Sequence, residues 1–306
     1  MHQLEEFKSF DFEPVGKCLI CGSNSFKIIL RKNYLNHSFQ WVRCAKCAFV
    51  FQNPRLTVDS LRNLYNSFAY LQTNKVGKDK GVGYQDYFNG EDYRLRQSDV
   101  RINKVAQFID PPARLLDIAC ATGFFMKVAR DYGYEVEGID ISEKLASWGK
   151  EYYGLNIRPQ SFEECEFDTE SYDLVTIWGA ADSNFYDPQL VYTKINRILK
   201  SRGYLFFNFH DFDHPLGFLK GTTFKKSPTA LYNFNRRNLR TFLENAGFRI
   251  VKMEHEFQYT SLEQVLNFLS KNLLDVAIKL GLNHKMIRIP IPGGYFLAAQ
   301  KETKMI

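Results

Sequence analysis

Four cysteines near the N-terminus have the spacing of a metal-binding site. Cys18 and Cys21 form one Cys-x-x-Cys pair, and Cys44 and Cys47 form a second. Each pair can turn tightly enough to aim two thiolates at one ion, so two pairs across a hairpin predict a tetrahedral four-sulfur site. Because four thiolates leave no open coordination position, we expect a structural zinc ion. Two disulfides are the alternative, which the lack of a secretory signal disfavours.

Two aspartates, Asp117 and Asp140, belong to two predicted strands that flank a helix. Asp117 lies in the short apolar run Arg114–Ile118, a turn of small residues follows at Ala119–Gly123, and Asp140 ends the second strand. Small residues let the backbone approach a ligand at the helix N-terminus, and an acid at the second strand's end can accept both hydroxyls of a ribose. The turn fits neither a dinucleotide site nor a phosphate loop, but Asp117 could pair with an ammonium group. A buried βαβ unit without a ligand is the alternative.

The stretch from Ala113 to Ser142 resembles the first motif of the class I S-adenosylmethionine-dependent methyltransferases, which is an acid followed by small residues that close on glycine. The resemblance implies that S-adenosyl-L-methionine is the cofactor, with Asp117 and the turn at its methionine moiety and Asp140 at its ribose. The other residues that it assigns here are Ala119, Ala121, Gly123 and Ile141. The family usually has glycine where this chain has the two alanines, and the methyl group of Ala119 would stand where the cofactor passes closest.

The resemblance also implies contacts from later and earlier segments. It places the adenine near Ser161–Glu163, with Phe162 as a flat apolar neighbour of the base. Trp178 ends the fourth predicted strand and Gly179 follows it; both should line the site, because ligands of an open parallel sheet lie outside the carboxyl ends of its strands. Tyr84 and Tyr87 would help to enclose the methionine end of the cofactor. Capping of the core is the alternative for these two tyrosines.

The cysteine pairs, the Asn53-Pro54-Arg55 segment after them and the Gly-Tyr-x-x-Tyr segment together resemble one branch of that family, common among enzymes that modify sugars, surface polysaccharides and small metabolites. The resemblance implies a sugar, a sugar nucleotide or a glycan as the methyl acceptor. Relatives often carry a Glu-His pair just before the position of Asp187-Pro188, and Pro-Glu-His-Leu where this chain has Pro228–Tyr232. Both histidines are missing here, which indicates a different acceptor, a different base or lost catalysis.

Three residues are candidates for a general base on the acceptor side, namely His210, Asp182 and Tyr232. A base must lie within hydrogen-bond reach of the acceptor proton, and spacing in the sequence does not establish that distance. The segment His210–His214 also offers histidine and aspartate side chains to a metal ion, but the resemblance does not call for a metal there.

The order of predicted elements indicates an α/β fold, a seven-stranded Rossmann-like methyltransferase sheet with helices on both faces, preceded by a small zinc ribbon and a helical cap. The predicted strands are Arg114–Ile118, Tyr134–Ile139, Leu155–Arg158, Tyr172–Trp178, Tyr204–Phe209, Arg249–His255 and Gly294–Ala299, with the last antiparallel to its neighbour. We expect the zinc ribbon at residues 1–56, the helical cap or linker at 57–98, and the S-adenosylmethionine-dependent domain at 99–306 with a helical insertion at 258–285.

Composition narrows the classes of function. The chain has 306 residues, 45% of them hydrophobic and 24% charged, which is typical of a globular protein. The formal net charge of +6 is spread along the sequence and argues only weakly for nucleic acid. No stretch approaches the roughly 20 apolar residues that span a bilayer, so we expect a cytoplasmic protein. An apolar stripe in Ser261–Leu282 predicts a helix that packs on the domain or on a second subunit of a homodimer; an interfacial membrane helix is the alternative.

These observations favour an S-adenosylmethionine-dependent methyltransferase that acts on a small-molecule or glycan acceptor. Two other classes of function stay open. One is a nucleic-acid methyltransferase guided by the zinc ribbon, which predicts salt-sensitive binding of RNA or DNA. The other is a catalytically silent scaffold subunit, which predicts that the chain does not bind the cofactor.

Overall fold

A cysteine-containing hairpin and a seven-stranded sheet are the two parts on which the chain is built. The computed structural model describes residues 10–34, 37–66, 91–181, 183–215, 227–262, 265–266, 275, 278–282 and 285–302. The strands are β1 (Phe12–Glu13), β2 (Phe26–Tyr34), β3 (His37–Cys44), β4 (Val50–Gln52), β5 (Arg55–Leu56), β6 (Arg114–Ile118), β7 (Glu135–Asp140), β8 (Ile157–Pro159), β9 (Tyr172–Ile177), β10 (Leu199–His210), β11 (Tyr232–Asn233), β12 (Phe248–Ser261) and β13 (Met286–Lys301). The helices are α1 (Val58–Asn66), α2 (Glu91–Val105), α3 (Phe124–Asp131), α4 (Glu143–Tyr153), α5 (Pro188–Ile198) and α6 (Arg236–Asn245).

The N-terminal hairpin between the two cysteine pairs forms as predicted. Strands β2 and β3 pair antiparallel from Phe26 opposite Cys44 to Tyr34 opposite His37. Strand β4 continues this sheet along β3, and we call residues 16–52, with both cysteine pairs and these three strands, the ribbon. The fourth strand of the ribbon's sheet is β11, which comes from a segment about 180 residues later in the chain.

The seven-stranded sheet has the order β12-β13-β10-β9-β6-β7-β8. The strands from β10 to β8 run parallel, whereas β13 is antiparallel to both β10 and β12. This mixed α/β sheet confirms the predicted fold class, including the antiparallel last strand. Because β6, β7, β9 and β10 are parallel, their carboxyl ends meet at one edge of the sheet, where ligands bind in folds of this kind.

Both faces of the sheet are covered, which explains why its central strands are apolar in succession rather than alternately. Neighbouring residues, such as Phe206 and Phe207 in β10, point to opposite sides and are fully buried. One face packs against Ile102 of α2 and Phe125 of α3. The opposite face packs against α5 and α6 and continues into the buried aromatic residues of the ribbon, such as Trp41. The ribbon therefore belongs to the same hydrophobic core as this face of the sheet.

Helix boundaries follow local signals in the sequence. Helix α5 begins at Pro188, and the side chain of Asp187 accepts a hydrogen bond from the backbone N–H of Leu190 at 3.0 Å. Ser142 stands at the N-cap position of α4, but its side chain makes no capping hydrogen bond. Its hydroxyl is therefore left for another partner.

The structure departs from two of the predicted segment bounds. The expected boundary between residues 98 and 99 falls inside the continuous helix α2. Residues 258–261, expected to begin the insertion, extend β12 and pair with residues 286–289 of β13, because Phe257, Tyr259 and Thr260 favour extended backbone. Most of the predicted helix between 261 and 282 lies outside the described residues. Among the described helices, none combines the length and the apolar character needed to cross a bilayer.

Candidate active site and metal centre

The turn after β6 brings the predicted cofactor residues to the carboxyl edge of the sheet. Ala119, Ala121 and Gly123 all have positive φ, at 56°, 51° and 77°. The φ of Gly123 favours glycine in front of α3, and a Cβ atom there would also lie 2.5 Å from the side chain of Leu155, which would have to shift. The two alanines adopt the same left-handed conformation with a side chain, at a cost of about 1 kcal/mol each. The turn is therefore strained where it reaches the carboxyl edge of the sheet.

Asp140 dominates the first of two clefts at this edge, which we call the Asp140 cleft. It has about 790 Å³ of empty space, part of it open to solvent. The backbone N–H groups of Ala121 and Ser142 each donate a 2.8 Å hydrogen bond to one oxygen of the Asp140 carboxylate. Burial nevertheless raises the pKa of Asp140 to about 6, so the carboxylate is ionised at neutral pH. Each oxygen keeps a lone pair for a ligand hydroxyl, which suits a vicinal diol.

Two buried polar atoms around this cleft have no hydrogen-bond partner among the described residues, the hydroxyl of Ser142 and Nε1 of Trp178. Buried polar groups in folded proteins nearly always have a hydrogen-bond partner, so buried polar groups without one at a cleft indicate that a ligand supplies the partner. A ribose beside Asp140 would bring its oxygens near Ser142. The residues present thus fit a nucleoside.

A buried lysine fixes the far wall of the Asp140 cleft. The ammonium group of Lys194 in α5 donates to the backbone carbonyls of Phe162, Glu163 and Cys165 at 3.1, 2.8 and 2.8 Å. Lys194 is only 8% exposed, so its three donors are used entirely by this loop. The loop holds Phe162, the predicted neighbour of adenine, against the cleft. Sequence reasoning missed Lys194, because a single lysine in an amphipathic helix normally faces solvent.

Asp117 lies in the second cleft, which we call the Asp117 cleft. The hydroxyl of Thr176 donates a 2.6 Å hydrogen bond to the Asp117 carboxylate, which is 2% exposed. Burial raises the pKa of Asp117 to about 7, and Thr176 and the guanidinium of Arg101 offset only part of that rise. Ala119, Ala121 and Trp178 line both clefts, so the two form one continuous site around the strained turn.

Arg101 is a second charged group of the Asp117 cleft that sequence reasoning missed. Its Nε and Nη2 both donate to Oε1 of the buried Glu256, at 3.0 and 2.7 Å, and its guanidinium lies 4.6 Å from the ring of Trp178. Arg94, Gln97, Ser98 and Arg101 recur at helical spacing and line the cleft together. The helical spacing of these polar residues in the sequence could have indicated that they share one face of α2.

We predict that ligand binding at the Asp117 cleft depends on pH around neutrality. A ligand ammonium needs the ionised carboxylate, whose population grows as pH rises through its pKa of about 7. The affinity for S-adenosylmethionine should therefore increase about tenfold from pH 6 to pH 8, with release of protons on binding below the pKa. Calorimetric titrations across this range, in buffers of different ionisation enthalpy, measure both quantities. Asp117→Asn should bind weakly and lose most of this dependence between pH 6 and pH 8; equal wild-type affinities at pH 6 and pH 8 would contradict the prediction.

We predict that Ala119→Gly tightens cofactor binding. Glycine would remove a methyl group that lines both clefts, so the affinity for S-adenosylmethionine should rise about threefold. Relief of the strain at φ 56° should change thermal stability instead. Ala48 in the ribbon, with φ 62°, provides the matched control. Ala48→Gly should change thermal stability in the same direction without changing the affinity. Weaker binding by Ala119→Gly would show that the methyl group supports the ligand.

The structure brings most of the predicted site residues together. Those that line the clefts are Asp117, Ala119, Ala121, Asp140, Ile141, Phe162, Trp178 and His210. Gly123 instead begins α3, and Gly179, with φ 82°, donates its backbone N–H to Asn208 in a turn beside the clefts. Asp182, Tyr84 and Tyr87 lie outside the described residues. The roles of all these residues in binding and catalysis stay predictions.

Tyr232, the third candidate base, lies away from both clefts. Its hydroxyl accepts from Nη1 of Arg55 at 2.8 Å and donates to the carbonyl of Tyr186 at 3.0 Å, and its ring stacks on Phe49 of the ribbon. Burial raises the pKa of Tyr232 to about 12. This hydroxyl is therefore committed to structural contacts.

The four ribbon cysteines lie together as the spacing predicts. Sγ of Cys18 is 3.5 Å from Sγ of Cys47, Sγ of Cys21 is 3.6 Å from Sγ of Cys44, and all four lie within 4.8 Å of one another. A tetrahedral zinc ion with Zn–S bonds of about 2.3 Å spaces its sulfurs roughly 3.8 Å apart, whereas a disulfide needs about 2.05 Å. The four thiols are free, so the disulfide alternative is not formed, and the donor set fits zinc. Among the described residues no other His, Cys, Asp or Glu cluster has metal-binding geometry, including His210–His214.

Comparison with known proteins agrees with this geometry. A sequence-family model described as a methyltransferase domain matches residues 91–253, more than half of the chain. No curated protein matches the sequence. A protein of Bacillus halodurans C-125 assigned as a methyltransferase is 16% identical, with a TM-score of 0.50 over 67% of this chain and 98% of its own. A chain from the complex of the Haloferax volcanii Trm112 methyltransferase activator with a methyltransferase is 15% identical, with a TM-score of 0.52 over 70% of this chain and 93% of its own. At identities this low, the structural similarity shows a shared fold alone.

Proposed function

We propose, from the premise that this chain belongs to the methyltransferase domain family, that it transfers a methyl group from S-adenosylmethionine to a hydroxyl of a sugar, a sugar nucleotide or a glycan. One observation supports binding of the cofactor: the two clefts form a continuous site in which Asp140 and the buried Asp117 flank one strained turn. Backbone N–H groups hold both carboxylate oxygens of Asp140. S-adenosylmethionine, when bound, supplies an electrophilic methyl group on a sulfonium centre.

The chain's own residues have distinct tasks in this proposal. The Asp140 carboxylate and the Ser142 hydroxyl would bind the ribose, while Phe162 would pack against the adenine. Asp117 and Arg101 would bind the amino and carboxyl groups of the methionine moiety, because a carboxylate and a guanidinium complement them in charge. Fixing the donor in this way and excluding water lowers the barrier to transfer, so few side chains need be reactive themselves.

The acceptor half of the proposal rests on the Asp117 cleft. Beyond the aspartate its walls carry hydrogen-bonding and aromatic side chains, including Tyr93, Asn208, His210 and Tyr259. Such a mixture suits a hydroxylated acceptor better than an apolar one. We assign His210 as the general base that takes the acceptor proton at Nε2, because Nδ1 is buried. The ribbon cysteines would hold a structural zinc ion, since no coordination position stays open.

The test is transfer of a radiolabelled methyl group from S-adenosylmethionine to panels of sugar nucleotides, oligosaccharides, transfer RNA and DNA. Transfer to a sugar-containing panel is expected, and His210→Ala should lower that rate about 100-fold while leaving the affinity for S-adenosylmethionine unchanged. Labelling of RNA or DNA alone would replace the acceptor proposal with the nucleic-acid function. Folded protein that does not bind S-adenosylmethionine would overturn the enzyme proposal and favour a scaffold.

A further inference from the structure

Arg55, in the Asn53-Pro54-Arg55 segment where the chain leaves the ribbon, is the centre of a partly buried hydrogen-bond cluster. Its Nε and Nη2 donate to Oε1 of Glu13 at 3.0 and 2.8 Å. Its Nη1 donates to the backbone carbonyl of Tyr186 at 2.7 Å and to the hydroxyl of Tyr232 at 2.8 Å. The guanidinium also lies 3.8 Å from the ring centroid of Tyr186. We call Arg55, Glu13, Tyr186 and Tyr232 the Arg55 cluster.

The Arg55 cluster is joined directly to a wall of the Asp140 cleft. Tyr186, whose carbonyl Arg55 holds, follows Asn184 and Phe185, which both line that cleft. Tyr232, which bonds the same carbonyl, holds it from a second direction. Arg55 therefore fixes the backbone one residue away from a cleft side chain without touching the cleft itself.

A second connection runs from the ribbon to the same cleft wall. Gln52 of β4 donates its side-chain amide to the carbonyls of Ser227, Pro228 and Ala230, and Nε1 of Trp41 also donates to Ala230. The segment held in this way continues into β11, which pairs with β4. The backbone N–H of Leu231, just before β11, then donates to the carbonyl of Ser183 at 2.7 Å, beside Asn184 of the cleft wall.

We propose that the ribbon and Arg55, which follows it in the chain, together support residues 183–186 of the Asp140 cleft, and that Arg55 is a positioning residue for bound cofactor. This inference rests on the proposed function, because it assumes that the Asp140 cleft binds the nucleoside of S-adenosylmethionine. Arginine suits the position because one planar group serves three acceptors in different directions. A lysine would keep the positive charge but would lack the planar guanidinium that serves three acceptors.

The experiment compares Arg55→Ala and Arg55→Lys with Arg31→Ala. Arg31 is a matched control, since it is a ribbon arginine whose side chain, within the part of the chain that the structure describes, bonds only Gln40 at the surface. Calorimetry gives the affinity for S-adenosylhomocysteine, metal analysis gives zinc per chain, and hydrogen exchange gives the protection of residues 183–187. Arg55→Ala should bind about tenfold more weakly and Arg55→Lys to an intermediate degree, both with faster exchange in 183–187 and unchanged zinc content. Arg31→Ala should match the wild type in every readout.

A second variant keeps the inference testable if Arg55→Ala folds poorly. Tyr232→Phe retains the ring that stacks on Phe49 and removes only the hydroxyl between Arg55 and the Tyr186 carbonyl. It should weaken binding about twofold to threefold with faster exchange at the same residues. Wild-type affinity in both Arg55→Lys and Tyr232→Phe would overturn the inference and leave the proposed function intact. Failure of the wild type to bind would instead overturn the proposed function.

Discussion

Asp140→Ala is expected to weaken binding of S-adenosylmethionine at least 100-fold. The substitution removes a carboxylate that would accept both ribose hydroxyls, and hydrogen bonds to a charged group contribute about 1.5–3 kcal/mol each. It also leaves the N–H groups of Ala121 and Ser142, which now bond Asp140 at 2.8 Å, without an acceptor at the wall of the cleft. Isothermal titration with S-adenosylmethionine and S-adenosylhomocysteine measures the loss.

Loss of binding in this variant should not reflect unfolding. Burial raises the pKa of Asp140 to about 6, so the ionised carboxylate opposes folding at neutral pH, and its removal offsets part of the lost hydrogen bonding. The melting temperature should consequently stay within a few degrees of the wild type. Asp131→Ala, an exposed aspartate paired with Lys127, is the control and should bind normally. An Asp140→Ala protein that binds within tenfold of the wild type would rule out the ribose assignment.

Removal of metal is expected to unfold the ribbon and leave the seven-stranded sheet folded. Structural zinc contributes about 10–16 kcal/mol in small four-ligand sites, far more than this short segment can gain from its own core. Chelation or Cys44→Ser should therefore abolish hydrogen-exchange protection in residues 16–52. Because β4 pairs with β11, protection should also fall in residues 230–233.

Cys165→Ser is the matched control for the cysteine substitution. Cys165 is buried in the sheet domain, and its thiol bonds Gln160, a contact that a serine hydroxyl can retain. This variant should keep full metal content and a protected ribbon. Undiminished protection of residues 16–52 in metal-free protein would show that hydrophobic packing, not metal, holds the ribbon together.

The sequence was sufficient to predict the features that depend on local pattern. The Cys-x-x-Cys spacing located the four-cysteine cluster, and the apolar runs that end near Asp117 and Asp140 located the turn between them, since the carboxyl ends of parallel strands share an edge. These predictions needed only the neighbours of each residue along the chain.

Features that depend on distant partners could not be predicted in this way. Tyr232 stands in a segment expected near the acceptor, yet its hydroxyl is committed to Arg55 and Tyr186, 177 and 46 residues away. The pKa of Asp117 follows from burial and from Thr176 and Arg101, which the sequence does not place beside it. The two-residue strand β11 forms only because β4 offers an unpaired edge, so it has no pattern of its own.

The pairing of β4 with β11 has a consequence for synthesis of the chain. All four cysteines have emerged from the ribosome well before Tyr232, so a metal site can close early, but the ribbon's sheet lacks its last strand until then. At about 5–20 residues per second, the roughly 180 intervening residues take about 9–36 s to translate. During that interval Phe49 lacks the rings of Tyr232 and Phe234, and Trp41 lacks the Ala230 carbonyl to which it donates. The nascent ribbon therefore exposes aromatic surface until its last strand is made, which is the kind of transient surface that promotes aggregation.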